Sequence, residues 1–180
     1  MEYEVLEKKE LVNKEKFLEI VEDKKYDGRL FPETYFFSPG VKEEEIIEAM
    51  YKNFRRFYDK RIKEKAQKIN MTEDKVVILA SIIEREAKKK DEKYLISGIF
   101  YNRLKKRWRL ESCATVRFAL KKWKRPLTFK DLKTKSPYNT YRHFGLPPSP
   151  ICNPGRISLL AAVEPVKTDL FFFVSKGEGT

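Results

Sequence analysis

Between Val76 and Ile83 the chain runs for eight residues with no charge and a single hydroxyl, that of Ser81. Glu84, Arg85 and Glu86 follow at once, and Lys88-Lys89-Lys90 closes the stretch. An apolar run rich in Ile, Leu and Ala predicts a helix, with Thr72 as N-cap and Glu73 and Asp74 in the first turn. Being apolar nearly all round, it belongs in the core. On that helix Glu84 stands above Val77, Ala80 and Ser81.

The flanking pattern predicts further elements. Asn13 to Val21 reads as a short helix. Asp27 to Phe37 contains Gly28 and Pro32, then Tyr35-Phe36-Phe37, which reads as a turn feeding a short extended piece that Ser38-Pro39-Gly40 ends. From Lys42 to Lys68, Ile46, Ile47, Met50, Phe54, Phe57, Tyr58 and Ile62 recur at helical spacing and predict one long helix. Asp91 opens another, with Leu95, Ile96, Ile99, Phe100 and Leu104 on its apolar side and the basic stretch Arg103 to Arg109 at its end. Leu110 to Leu120 reads as a turn into a short helix, and Thr128-Phe129-Lys130-Asp131 has capping-box spacing for one helical turn. Ser136 to Gly155 holds five of the nine prolines and no periodicity, so it is a long loop, functional or disordered by length. Its Tyr138, Tyr141 and Phe144 argue for order. Ile157 to Val163 reads as a short helix stopped before Pro165, and Leu170 to Val174 as a buried strand. The sum is an α+β class: one mostly helical domain over residues 1–180, with a few short strands and a long Pro-rich loop.

Composition supports a globular domain. Hydrophobic residues make up 41% of the 180 and aromatics 13%, enough for a real core and too much for disorder. Charged residues reach 37%, against about a quarter in ordinary domains, with Lys and Glu supplying the excess as in heat-adapted proteins. The net charge of +12 suits an anionic partner, whether nucleic acid, membrane surface or acidic polymer, and equally a solvated lysine-rich surface. No apolar run approaches the roughly 20 residues of a membrane span, and the start has no signal-peptide pattern. One histidine, His143, argues against a Ser-His-Asp triad and a His-rich zinc site. Cys113 and Cys152 stand in no metal-ligand spacing. The sequence calls for no metal and no cofactor.

Glu84 is the first candidate for chemistry. A carboxylate among small apolar neighbours loses hydration, which raises its pKa towards what a general acid needs near neutral pH. The same pattern fits a carboxylate that marks where the helix reaches water, paired with Lys88. Glu86 is the rival acid, but it shares the helix exit with many lysines and reads as solvated. Tyr138-Asn139-Thr140-Tyr141 offers flat faces, hydroxyls and an amide, a surface that suits saccharides and would also serve half-buried packing. Asn102, on a largely apolar helix, needs partners and so fixes a loop or a ligand. Glu111 is a second carboxylate; two straddling a glycosidic bond would give ordinary hydrolysis. Basic and aromatic residues interleave at 55–58, 105–109 and 121–125, with no nucleic-acid fold signature beside them, so no nucleic acid is expected.

Taken in order, Leu30-Phe31-Pro32-Glu33-Thr34-Tyr35, Ala80-Ser81-Ile82-Ile83-Glu84-Arg85-Glu86-Ala87, Gly98-Ile99-Phe100-Tyr101-Asn102-Arg103-Leu104, Ser136-Pro137-Tyr138-Asn139-Thr140-Tyr141, Gly145-Leu146-Pro147-Pro148-Ser149-Pro150-Ile151 and Asn153-Pro154-Gly155 resemble the MltG (YceG-like) endolytic murein transglycosylases over most of the chain. The resemblance implies that Glu84 is the catalytic acid, that the substrate is the glycan strand of peptidoglycan, and that the product carries a 1,6-anhydromuramyl end. It makes Asn102, Tyr138, Asn139 and Tyr141 candidates for holding sugar. It implies cell-wall synthases as protein partners and a place at the cell inner (cytoplasmic) membrane, single-pass, with the catalytic domain on the periplasmic side.

This chain departs from the family pattern in three ways. Leu110-Glu111-Ser112-Cys113-Ala114-Thr115-Val116 stands where the family has Leu-Gln-Ser-Asp-Pro-Thr-Val, so Glu111 replaces an amide at a candidate substrate contact. The family's N-terminal membrane helix and LysM-like module are missing. The chain stops at Gly177-Glu178-Gly179-Thr180, just before the family pattern continues. Cys113 and Cys152 both fall in motif segments, and a disulfide between them would tie the catalytic region to the Pro-rich loop. The alternatives are a muramidase-type hydrolase using Glu84 with Glu111, and a basic module that binds glycan or nucleic acid without cutting.

Overall fold

The run from Val76 to Ile83 is buried throughout and forms the centre of the molecule, in α4 (Glu73–Glu86). The computed structural model describes residues 12–87, 89–123 and 125–173. Thr72 caps α4, its Oγ1 accepting from the Lys75 amide, and Glu73 and Asp74 sit in the first turn where the helix dipole favours acid. Two earlier helices lead to it. In α1 (Lys14–Asp23) the Asn13 side chain accepts from the Lys16 amide, and Phe17 and Val21 turn inward one turn apart. They pack on Ile46, Ile47 and Met50 of α2 (Glu43–Arg61), forming a satellite core beside the main one.

The single helix expected from Lys42 to Lys68 bends at Ile62, where φ is −113°, and continues as α3 (Lys63–Lys68). Hydrogen bonds run on through the bend: the Ile62 amide reaches Tyr58 and the Ala66 amide reaches Ile62, both at 2.9 Å. The bend keeps Ile62 and Ala66 on the core after a 19-residue helix whose buried face would otherwise drift off it. Around α4 then pack α5 (Lys90–Lys105), α6 (Cys113–Leu120) and α7 (Arg156–Val163), with a short 3₁₀ turn at Asp131–Lys133. That turn has the expected box: Asp131 Oδ2 accepts from the Thr128 amide and hydroxyl at 2.9 Å each, and Thr128 Oγ1 accepts from the Asp131 amide at 3.3 Å.

No strand forms among the described residues, so the expected α+β class is corrected to an all-helical fold with long irregular connections. The extended pieces exist but lack ladder partners. In the first, the Phe31 carbonyl accepts from the Tyr35 hydroxyl and the Glu33 amide, and Phe36 points into solvent. In the second, helix side chains take the place of a neighbouring strand. Asn102 Nδ2 donates to the carbonyls of Thr168 at 2.7 Å and Leu170 at 2.9 Å, and Arg103 Nε to that of Phe171 at 2.7 Å. Leu170 and Phe172 are exposed, so this segment is not the buried strand expected; Val174 lies outside the described residues. Gly98 allows the close approach: a Cβ there would stand 2.2 Å from the Val166 carbonyl oxygen.

The Pro-rich loop is ordered by hooks into the helices. The Ser81 hydroxyl accepts from the Ile151 amide at 3.0 Å, the Ser81 carbonyl from the Cys152 thiol at 3.3 Å, and Asn153 Oδ1 from the Leu30 amide at 3.0 Å. Gly28, at φ +72°, leaves room for Pro150 and Val77, each 2.6 Å from where a Cβ would be. No helix among the described residues is long and apolar enough to cross a membrane.

Candidate active site

Glu84 lies in the last turn of α4, its side chain 28% exposed. Three donors from two other helices hold its carboxylate. Lys93 of α5 reaches Oε1 at 2.9 Å with a side chain only 10% exposed. On Oε2 converge the Ser158 hydroxyl at 2.6 Å and the Gly155 amide at 3.0 Å. Gly155 is the N-cap of α7 and Ser158 lies in its first turn, so the carboxylate also meets the positive end of that helix. Burial pushes the Glu84 pKa up, but the bonds from Ser158, Lys93 and Gly155 outweigh it, and the group titrates below an ordinary glutamate. The raised pKa expected from apolar neighbours is therefore reversed: Glu84 rests as a carboxylate at neutral pH. Its expected pairing with Lys88 lies outside the described residues.

The start of α7 is itself anchored. Arg156 pairs with Glu33, Nη2 to Oε2 at 2.8 Å, and its guanidinium lies over Phe31 and Phe57. Asn53 donates to Glu33 and to the Tyr35 hydroxyl, both at 3.2 Å. The stretch from Leu30 to Tyr35 thus sets the position of the residue next to Gly155.

The other candidates divide. Glu86 is not solvated as expected: it accepts from the Ser112 hydroxyl and from the Ala114 amide at 3.2 Å, capping α6. Asn139 is fully buried and gives both amide hydrogens to the carbonyls of Leu132 and Thr134, so it builds the loop and has none left for sugar. Asn102 has likewise committed its donors to the C-terminal segment. The Tyr138 hydroxyl pairs with Ser149 at 2.6 Å, and the ring lines a depression of about 500 Å3 between α1 and the Pro-rich loop, which Glu84 does not line. Tyr141 meets Cys113, hydroxyl to sulfur at 3.2 Å, and burial, that bond and the nearby carboxylates of Glu86 and Glu111 raise its pKa. Glu111 is half exposed and 3.7 Å from Arg103, and it lines a depression at the far end of α5 that likewise excludes Glu84. The expected disulfide is not formed. The Cys113 sulfur faces Tyr141 while the Cys152 thiol is drawn to the Ser81 carbonyl.

Sequence reasoning missed Lys93, Gly155 and Ser158 as the residues that hold the acid. Gly155 ends the Asn153-Pro154-Gly155 motif, a signal that was present. Lys93 follows a run of lysines and carries no signal in the sequence. Among the described residues no group of three or more His, Cys, Asp or Glu is placed to hold a metal.

An all-helical domain that presents one glutamate, held by a lysine, a serine and a helix N-cap, has the equipment for acid–base chemistry on a polar substrate. The chain belongs to the YceG-like family, whose pattern matches residues 2–180. It is 42% identical over 154 residues to the endolytic murein transglycosylase of Bacillus subtilis (strain 168), covering 85% of this chain and 42% of that protein. The enzyme of the same name from Streptococcus pneumoniae is 32% identical over 158 residues, covering 83% of this chain and 28% of that one. The chain thus spans less than half the length of these relatives. The crystal structure of a YceG-like protein from Listeria monocytogenes superimposes with a TM-score of 0.79 at 40% identity, covering 85% of this chain and 50% of that one.

Proposed function

We propose that this chain is the catalytic domain of an endolytic lytic transglycosylase, cleaving the MurNAc–GlcNAc bond of peptidoglycan strands with Glu84 as the single acid and base. The observation that carries this reading is the asymmetric hold on Glu84. Oε2 takes two donors from the start of α7 and Oε1 a single one from Lys93, so Oε1 is the less committed oxygen. Substrate binding strips water from the carboxylate and biases a proton onto it. Glu84 then protonates the oxygen leaving muramyl C1. As the C1–O bond breaks, the muramyl C6 hydroxyl closes on C1, and its proton passes to the Glu84 carboxylate, which restores the acid. One bond breaks, one forms, a proton moves between two sugar oxygens, and no water is consumed. The names of the relatives support the substrate and the reaction class. We place the domain on the outer face of the cytoplasmic membrane, held there by a membrane helix of the whole protein, beside the synthases that extend the strands.

Purified peptidoglycan digested with wild-type and Glu84→Gln protein and read by mass spectrometry tests this. Anhydromuramyl ends should appear with wild type and fall about 10²–10⁴-fold in the variant, the range set by losing one general acid–base. Products carrying added water would make the enzyme a hydrolase, and no product from wild type would sink the proposal for this chain.

A further inference from the structure

A concavity lies at the C-terminal end of α5. Leu104, Arg107, Trp108, Phe144 and Gly145 line a depression of about 500 Å3. Arg107, Trp108 and Phe144 also line an adjoining one of about 430 Å3 that takes in Arg109, Glu111 and Phe172. Trp108 is 46% exposed, Phe144 65% and Phe172 67%, so three large rings face water together. They are arranged, not scattered. The Trp108 ring lies 4.9 Å from that of Phe171 and 6.2 Å from that of Phe172. The Arg109 guanidinium sits 5.0 Å over Phe144 and that of Arg103 5.1 Å over Phe172.

The backbone that presents them is braced. Arg107 and Glu111 adopt φ of +55° and +50°, left-handed positions that side chains enter at a cost. Three bonds hold the turn there: the Trp108 amide to the Arg103 carbonyl at 2.8 Å, the Glu111 amide to the Thr140 carbonyl at 3.2 Å, and Arg103 Nη1 to the Leu110 carbonyl at 2.7 Å.

We propose that this concavity is a saccharide subsite for the glycan strand, remote from Glu84 and resting on the function proposed above. The C–H face of an N-acetylated sugar packs against Trp108 and Phe144, Glu111 accepts from its hydroxyls, and Arg107 and Arg109 face the lactyl or peptide carboxylates of the strand. At about 1.5 Å rise per residue, Leu104 lies roughly 16 Å along α5 from Lys93, which holds Glu84. A long strand can engage both places at once and a short fragment only one, so the subsite favours cutting within polymer.

Soluble strands prepared from peptidoglycan, long and tetrasaccharide, are titrated into Glu84→Gln protein by calorimetry. Trp108→Ala and Phe144→Ala, each added to that background, should weaken long-strand binding about three- to ten-fold, the size of one lost ring contact. The tetrasaccharide should discriminate less, and Phe129→Ala, a ring 87% exposed elsewhere, should change nothing. Phe144→Ala guards against misfolding, since Phe144 is not part of the Trp108–Phe171–Phe172 ring cluster. Unchanged long-strand affinity in both variants, or no strand binding by the parent, overturns the subsite. So does unchanged glycan affinity with lost binding to phosphatidylglycerol vesicles, which would assign the face to a membrane. Ring-dependent binding without cleavage by wild type would keep the subsite and remove the proposed activity.

Discussion

Two opposing forces meet at Glu84. Removal from water favours the protonated acid, and three hydrogen bonds favour the anion, with the anion ahead. Ser158 gives the strongest of the three bonds, and Lys93, the one charged donor, adds its charge to its bond. In Lys93→Met the Glu84 pKa should rise, as measured by carboxyl-carbon NMR titration. The folded protein should also lose about 2 kcal/mol at neutral pH, the worth of a hydrogen bond to a charged group. The sign follows from linkage. A carboxylate whose folded pKa lies below its unfolded value of about 4.3 adds stability above that value and loses it as pH falls through the folded one. Without Lys93 that loss should be smaller and end at higher pH, and an unmoved Glu84 titration would refute the role given to the lysine. The position of Glu84 was legible because apolar periodicity and motif both end on it. Its charge state was not, because the donors come from residues 93, 155 and 158, which only tertiary packing delivers.

Among the elements, the helices were legible from periodicity and caps and the Pro-rich stretch was read as a loop, but the short strands were misread. An aromatic run such as Phe171-Phe172-Phe173 has strand-like composition, but a strand also needs a partner backbone, and here Asn102 and Arg103 supply the donors instead. One of the hooks that order the Pro-rich loop is a buried serine inside an apolar helix, a residue whose role no local pattern announces. Ser81→Ala would leave the Ile151 amide buried without its acceptor, at a cost of about 1–3 kcal/mol. The expected readout is a lower Tm together with faster hydrogen exchange at Ile151. A lower Tm with exchange at Ile151 unchanged would mean that the hook is not what holds the loop.

At the scale of the whole molecule, a net charge of +12 means that protonating carboxylates adds to an existing excess of positive charge. Two hydrogen-bonded carboxylates have pKa values of about 2, one tying α1 to α2 and one closing a local turn. Glu43 is held down by the Asn13 amide, then by its own amide and Lys16; Asp131 by Lys122, then by Thr128. Both contribute stability above about 4, where the unfolded chain is already ionised, and lose it as pH falls towards 2. Melting temperatures should therefore hold from neutral pH to about 5 and drop steeply below 4. Glu43→Gln should lower the plateau and flatten part of the drop, and an unchanged slope would show that the tie between α1 and α2 carries no stability.

The side-chain staples on the C-terminal segment have one more consequence. A run of phenylalanines in extended form is the kind of sequence that recruits copies of itself, because open carbonyls and amides template the next strand. Here the carbonyls of Thr168, Leu170 and Phe171 are already occupied by Asn102 and Arg103, so the segment offers an incoming chain a blocked edge. Two polar residues on a helix thus act as gatekeepers against self-association, and losing them would expose the molecule to aggregation before it lost its shape.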